Sequence, residues 1–191
     1  MRNLQWLPLL PLLPLLPVAA LSTAIAPAHA VQYATAEEAA KRAFPEATAF
    51  KEKELQLTAN EMRALPADAG IVPRAVRFRA LVAQQGDKAI GYVVVDAVIG
   101  KFDLIDYAVG VEAHGKLRSV EILTYRESHG YEVRLAAWRR QFVGKDKRDK
   151  LRVGEDIGNI SGATMSATHV TDGVRRIVFA VDALIGAGRL N

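Results

Sequence analysis

No cysteine occurs anywhere in the chain. That excludes disulfides, thiolate metal sites, thioether-bound haem, iron–sulfur ligation by the chain and a lipidated-cysteine anchor, so any redox chemistry must come from a bound organic cofactor. Histidine is scarce too, with four in 191 residues. Past the first thirty residues only His114, His129 and His169 remain, too dispersed for a metal site to be expected. HExxH, GxSxG and Walker signatures are missing, as is a GxGxxG after a strand. No catalytic residue is therefore assigned. Charge of one sign does not dominate: the net charge is +4 with both signs interspersed, a mild preference for anionic partners and no signal for nucleic acid.

Long apolar runs are confined to the start. Residues 1–30 pass from Arg2 through a Leu/Pro-rich stretch, Leu7 to Ile25, to Ala28-His29-Ala30. This is the charge, apolar core and small-x-small order of a secretory signal peptide, with cleavage expected after Ala30 and the mature protein in the periplasm. Pro8, Pro11, Pro14 and Pro17 recur every third residue, and each ring removes a backbone donor and clashes with the preceding turn, which disfavours a spanning helix. The alternative is an inner-membrane anchor made by residues 7–25, since that run approaches the ~20 residues needed to cross a bilayer.

Beyond the leader, two segments are expected: helical from 31 to 74, and a domain from 75 to 191. Thr35-Ala-Glu-Glu38 and Thr58-Ala-Asn-Glu61 are capping boxes that open helices ending before Pro45 and Pro66, and a polar loop leads on to Pro73. From Ala75 the period becomes two. Strands are expected over 75–82, 89–99, 104–113 and 116–125, separated by Gln85-Gly86-Asp87, Gly100-Lys-Phe-Asp103 and His114-Gly115, where His114 reads as a turn residue. Tyr131, Leu135, Trp138 and Phe142 then fall at helical spacing, a core-facing stripe. Gly144 to Lys150 reads as a solvated charge run, and Val170 to Ile185 carries the apolar face of a long closing helix. The fold class is α+β, an antiparallel sheet of about four strands packed against helices, with a C-terminal helix opening near residue 164.

The stretch Ile160-Ser161-Gly162-Ala163-Thr164-Met165-Ser166-Ala167-Thr168 enters that helix. Four hydroxyls and a small Gly-Ala pair at a helix start suit a phosphate, because the first turn offers unpaired N–H groups and a partial positive charge. They equally suit plain capping by Ser166 or Thr168. Likewise Arg126-Glu127-Ser128-His129-Gly130-Tyr131, just past the fourth strand, reads either as a ligand rim or as a turn with Ser128 capping the next helix.

The run Ile157 to Ser166, followed by Val170-Thr-Asp-Gly-Val174, resembles the Ser-Gly-Ala-Thr flavinylation motif of the FMN-binding domain family, found in flavin subunits of the Rnf complex and of the sodium-pumping NADH:quinone reductase. Gly91-Tyr92 to Asp96, Tyr107 to Gly110, Gly115 to Ile122, Arg126 to Tyr131 and Gln141 to Lys145 are similar to its other blocks. The resemblance implies that 75–191 is an FMN-binding domain and that Thr164 carries FMN through a phosphoester. A flavin transferase of the ApbE family would install it. Ser161, Gly162, Ala163 and Ser166 would lie around the phosphate, and Glu127, His129 and Gly130 near the flavin. It also implies an electron-transfer role beside a membrane-bound redox partner; the alternative is a noncovalent FMN-binding or interaction module without its own redox turnover. Lys101, Arg126 and Lys145 are candidates for neutralising charge. Gly158 stands where the family often has an acid, with Asp156 two residues before it.

Overall fold

A computed structural model describes residues 30–67, 69 and 77–190. The leader, most of the loop before Pro73, and Ala75 and Val76 of the first expected strand lie outside these residues.

Both capping boxes form. In each, the threonine hydroxyl accepts from the glutamate N–H three residues on and the glutamate carboxylate accepts from the threonine N–H, which starts α1 (Ala36–Ala43) and α2 (Ala59–Ala64). The strands are β1 (Val31–Gln32), β2 (Ala49–Gln56), β3 (Arg77–Gln85), β4 (Lys88–Ile99), β5 (Leu104–Glu112) and β6 (Leu117–Tyr125). They form one antiparallel sheet in the order β1-β6-β5-β4-β3-β2. The sheet thus has six strands, not about four. β2 escapes a hydrophobicity reading because Lys51-Glu-Lys-Glu54 leaves it no apolar face; Leu55 is its one buried residue, and it pairs only with β3. β1 is two residues long and joins β6 beside Tyr125. The stretch 31–74 therefore adds strands to the main sheet as well as helices.

Strand alternation sorts the side chains into two layers. Ala39, Ala40 and Ala43 of α1 and Phe44 directly after it cover one face with Leu81, Ala83, Val93 and Ala108. The larger core on the other face joins Phe78, Tyr92, Val94, Tyr107 and Val109 to α4 (Thr164–Gly186) through Val170, Val174, Ile177, Val178 and Val181. The helix sits close to the sheet where Gly173 meets Tyr107: a Cβ on Gly173 would stand 2.0 Å from the Tyr107 hydroxyl. That hydroxyl donates to Asp96 Oδ2 at 2.9 Å, and Arg176 of α4 pairs with the same carboxylate. Burial first, then the Asp96 charge, holds the Tyr107 hydroxyl well above its ordinary pKa, so it stays a proton donor.

The segment after β6 is not the continuous helix its stripe suggests. Tyr131–Arg134 and Arg140–Phe142 are 3-10 turns flanking a four-residue α-helix, α3 (Ala136–Arg139), and Leu135 between them is extended, with ψ 132°. The break rotates the stripe. Trp138 and Phe142 are buried in edge-to-face contact, 5.1 Å between centroids, while Tyr131 and Leu135 stand 51% and 46% exposed. The charge run is not free in solvent either. Lys145 is bound to Asp156 at 3.1 Å, Lys147 to Asp182 at 2.7 Å, and Arg148 holds the Asp146 carboxyl down at about pKa 2. Among the described residues no helix is long and apolar enough to cross a membrane.

Candidate cofactor site

Thr164 is the first residue of α4 and is exposed. The residue before it, Ala163, occupies the cap position and has no side chain able to accept, so no side chain caps the helix. The first i to i−4 bond runs from Ala167 N to Ala163 O, which leaves the N–H groups of Thr164, Met165 and Ser166 ahead of the helical ladder. Neither Ser166 nor Thr168 caps, contrary to the capping reading: both lie inside the helix, and Ser166 is buried with its Oγ 3.4 Å from the Tyr125 hydroxyl. An uncapped N-terminus without a carboxylate in its first turn is a fitting seat for a phosphate. Gly162 holds φ +81° in the turn just before it, and a Cβ there would meet nothing, so its glycine serves conformation rather than space.

The loop after β6 comes to this helix start. Gly130, at φ +86°, packs so closely that a Cβ would stand 2.7 Å from Ala163 Cβ and 2.6 Å from the Tyr125 hydroxyl. Tyr125 in turn donates to the carbonyl of His129. A cavity of about 490 Å3 opens between the two segments, lined by Glu127, His129, Thr164 and Ser166 together with Lys101 and Phe102. Its volume lies in the range of small-molecule sites. Of the sequence-derived residues, Gly162, Ala163, Thr164, Ser166, Glu127 and His129 line it. Gly130 braces it from behind, and Ser161 is exposed in the preceding turn and does not line it. A second groove, about 750 Å3, meets Thr164 from its other side, along Gly154, Asn159, Thr168 and Asp172. Asn159 Nδ2 donates to Thr164 Oγ1 at 3.1 Å and leaves the hydroxyl proton free to depart.

Only one of the three candidate cations borders the cavity. Lys101 lines it, its ammonium 4.9 Å from the Phe102 ring centroid. Arg126 is bound to Asp106 at 2.8 Å and to the Leu104 carbonyl, and Lys145 to Asp156. Asp156 is consumed by its own loop, accepting from the N–H groups of Leu151 and Arg152. Gly158 is fixed by Gln141 and Trp138, through its N–H at 2.7 Å and its carbonyl at 2.7 Å.

Glu127 does something the sequence did not reveal. Its Oε1 accepts from the N–H of Phe102 at 2.6 Å and of Asp103 at 3.0 Å, so it fastens the β4–β5 turn that carries Lys101 and Phe102. From the other side His169 of α4 donates Nδ1–H to the carbonyls of Ile99 at 2.6 Å and Gly100 at 3.1 Å. Gly100 permits this crowding, since a Cβ there would lie 2.5 Å from Glu127 Oε1. The clue was present only as the unexplained break Gly100–Asp103; nothing in the sequence ties Glu127 or His169 to it.

Burial pushes the Glu127 carboxyl up, but the backbone N–H groups of Asp103, Phe102 and Lys101 and the Lys101 charge outweigh it and hold it below its ordinary value. A carboxyl lowered in the folded protein stabilises fully above its unfolded pKa of about 4.3, and loses that stabilisation as pH falls through the lower folded value. Amide exchange at Phe102 and Asp103 is accordingly expected to lose protection on acidification below about pH 4.3. In Glu127→Gln the step should vanish; a step unchanged in that variant would assign the clamp to another group.

The sequence profile of the FMN-binding domain matches residues 100–178, from this turn to the middle of α4. A subunit of the proton-translocating ferredoxin:NAD(+) oxidoreductase complex of Clostridium ljungdahlii is 31% identical over 144 residues, which cover 71% of this chain and 77% of that protein. The chain belongs to the FMN-binding domain family. Its cofactor is FMN. NqrC of Shewanella oneidensis is a further match among solved structures, with 17% identity, a TM-score of 0.48, and coverage of 78% of this chain and 85% of that one. As an FMN-binding domain, the described structure offers a site that fits a phosphate ester with an attached ring: an exposed hydroxyl, uncapped backbone donors beside it, one lysine, and an exposed aromatic ring.

Proposed function

We propose that the protein is an exported electron-transfer protein whose FMN is linked through a phosphoester to Thr164 and serves a membrane-bound redox partner. The observation that carries this reading is the exposed Thr164 hydroxyl at an uncapped helix start, on the wall of the 490 Å3 cavity. Bound FMN supplies the reversible electron acceptance; the chain supplies placement and electrostatics. The N–H groups of Thr164, Met165 and Ser166 and the helix dipole favour the phosphate charge. Gly130 and Ala163 keep the loop and helix in contact behind it. Lys101 sets a positive charge on the cavity wall, which favours an electron-rich ring, and Phe102, 74% exposed, offers it an apolar face.

Attachment forms a bond between Thr164 Oγ1 and the flavin-bearing phosphorus of a flavin dinucleotide donor; the pyrophosphate P–O bond on that phosphorus breaks, the nucleoside monophosphate half leaves, and the hydroxyl proton is released. Asn159 holds the oxygen from the side of the second groove, a position that does not occupy the cavity. A transferase of the ApbE family is the agent proposed for this step; the leader, read as a secretory signal, supports a periplasmic setting for it, with retention by residues 7–25 as the alternative. The test is the intact mass of the protein recovered from cells with an active flavin transferase. A gain of one FMN less one water, surviving denaturation, is expected. An unchanged mass with flavin lost on denaturation would favour the noncovalent module instead.

A further inference from the structure

The broken helix after β6 leaves a face that the fold does not use. Between residues 131 and 143 the exposed side chains are Tyr131, Arg134, Leu135, Arg140 and Val143, with Ala136 and Ala137 between them. Arg139 is turned away to Glu121 and the Val120 carbonyl. The single acid of the segment, Glu132, is turned inward, its Oε2 buried without a hydrogen-bond partner. The exposed side chains of this segment are therefore aromatic, aliphatic and cationic, with no carboxylate among them; the neighbouring Glu121 is paired with Arg139. Tyrosine and arginine with leucine or valine is the composition of a surface lying at a bilayer interface, where apolar stems enter the headgroup boundary and guanidinium groups meet lipid phosphate.

The chain's entry point lies at the same place. Val31, exposed, pairs with Tyr125, and the Tyr33 ring lies under Arg134, 4.7 Å from its guanidinium carbon, with Tyr131 at 5.5 Å on the same arginine. The apolar run Leu7 to Ile25 ends five residues before Ala30, a reach of at most about 18 Å. Where that run is held in a membrane, before or without cleavage, the tether keeps Ala30, three residues from the Tyr33 ring under Arg134, within that reach of the run's end. Charge complementarity and this short tether select the same occupant.

We propose that the face formed by residues 131–143 rests on an anionic phospholipid surface. Gly130, which braces the cavity, directly precedes Tyr131, so a protein lying on this face presents its cavity beside the bilayer plane. The inference holds whether or not Thr164 carries an ester.

The test is sedimentation of the protein as isolated with vesicles of phosphatidylcholine alone or mixed with phosphatidylglycerol. The wild type is expected to bind the anionic vesicles more tightly, with the excess falling as salt rises. Arg134→Gln with Arg140→Gln should remove roughly thirtyfold of that affinity, at about 1 kcal/mol per basic residue, while thermal unfolding and flavin loading stay unchanged. Amide exchange should slow at 131–143 on anionic vesicles and not in the double variant. Equal binding to both lipids, an excess untouched by the two substitutions, or protection mapped to another face would each overturn the proposal. So would protection that appears only when a membrane protein is added, which would make the partner a protein.

Discussion

Thr164→Ala is expected to yield a folded protein without covalent flavin. Loss of attachment should be complete because phosphoester formation requires the hydroxyl, and the neighbouring candidates are badly placed: Ser166 is buried against Tyr125, and Ser161 sits outside the helix and the cavity. The fold is indifferent. Thr164 is exposed at the first helical position, its side chain makes one exposed hydrogen bond to Asn159, and alanine is the better helix former. The change in stability should stay within about 1 kcal/mol. Intact mass and flavin fluorescence after denaturing electrophoresis read the attachment, and thermal unfolding reads the fold. Covalent flavin persisting in this variant would move the ester elsewhere.

Gly173→Ala acts in the opposite way, harming the fold first and the site through it. The new methyl would stand 2.0 Å from the Tyr107 hydroxyl and 3.1 Å from Val98 Cγ1, and the tyrosine cannot step aside because Asp96 and Arg176 fix it. Overpacking of this kind costs about 3 kcal/mol, which exceeds the ~1 kcal/mol that alanine gains over glycine in a helix. The net cost of about 2 kcal/mol should lower the unfolding midpoint of a chain of this length by roughly 4–8 °C. Tyr107→Phe added to Gly173→Ala removes the clashing oxygen and should return part of the loss. Thermal unfolding of the two variants side by side checks this; no recovery would show that Val98 or the helix position, not the hydroxyl, carries the strain.

The sequence made most of this architecture legible, for identifiable reasons. Thr35 and Thr58 with their partner glutamates fix helix starts by local hydrogen bonds, and β3 to β6 announce themselves by apolar alternation and short polar turns. β2 was invisible because its pairing is backbone chemistry clothed in Lys51 to Glu54, with no apolar face to signal it. The stripe Tyr131 to Phe142 misled because spacing fixes side-chain direction only while the backbone stays helical, and Leu135 breaks it. At the site, the Ser-Gly-Ala-Thr run and Glu127 to Gly130 were readable as segments, and their meeting at Gly130 and Ala163 is what the structure adds. The clamp of Glu127 and His169 on the β4–β5 turn depends on contacts 24 and 70 residues apart, which no local pattern encodes.

The place of α4 in the chain also orders events in time. Neighbouring strands from β3 to β6 are joined by short turns and can pair as soon as each is released. The larger apolar face of the sheet, by contrast, waits for a helix whose link to it, from Arg176 to Asp96, spans 80 residues. Until α4 arrives, that face is bare and open to aggregation. Thr164 begins α4, so its helical setting comes into being only as the core closes, and any agent that recognises that setting would act on chains whose core has closed and pass over those still open.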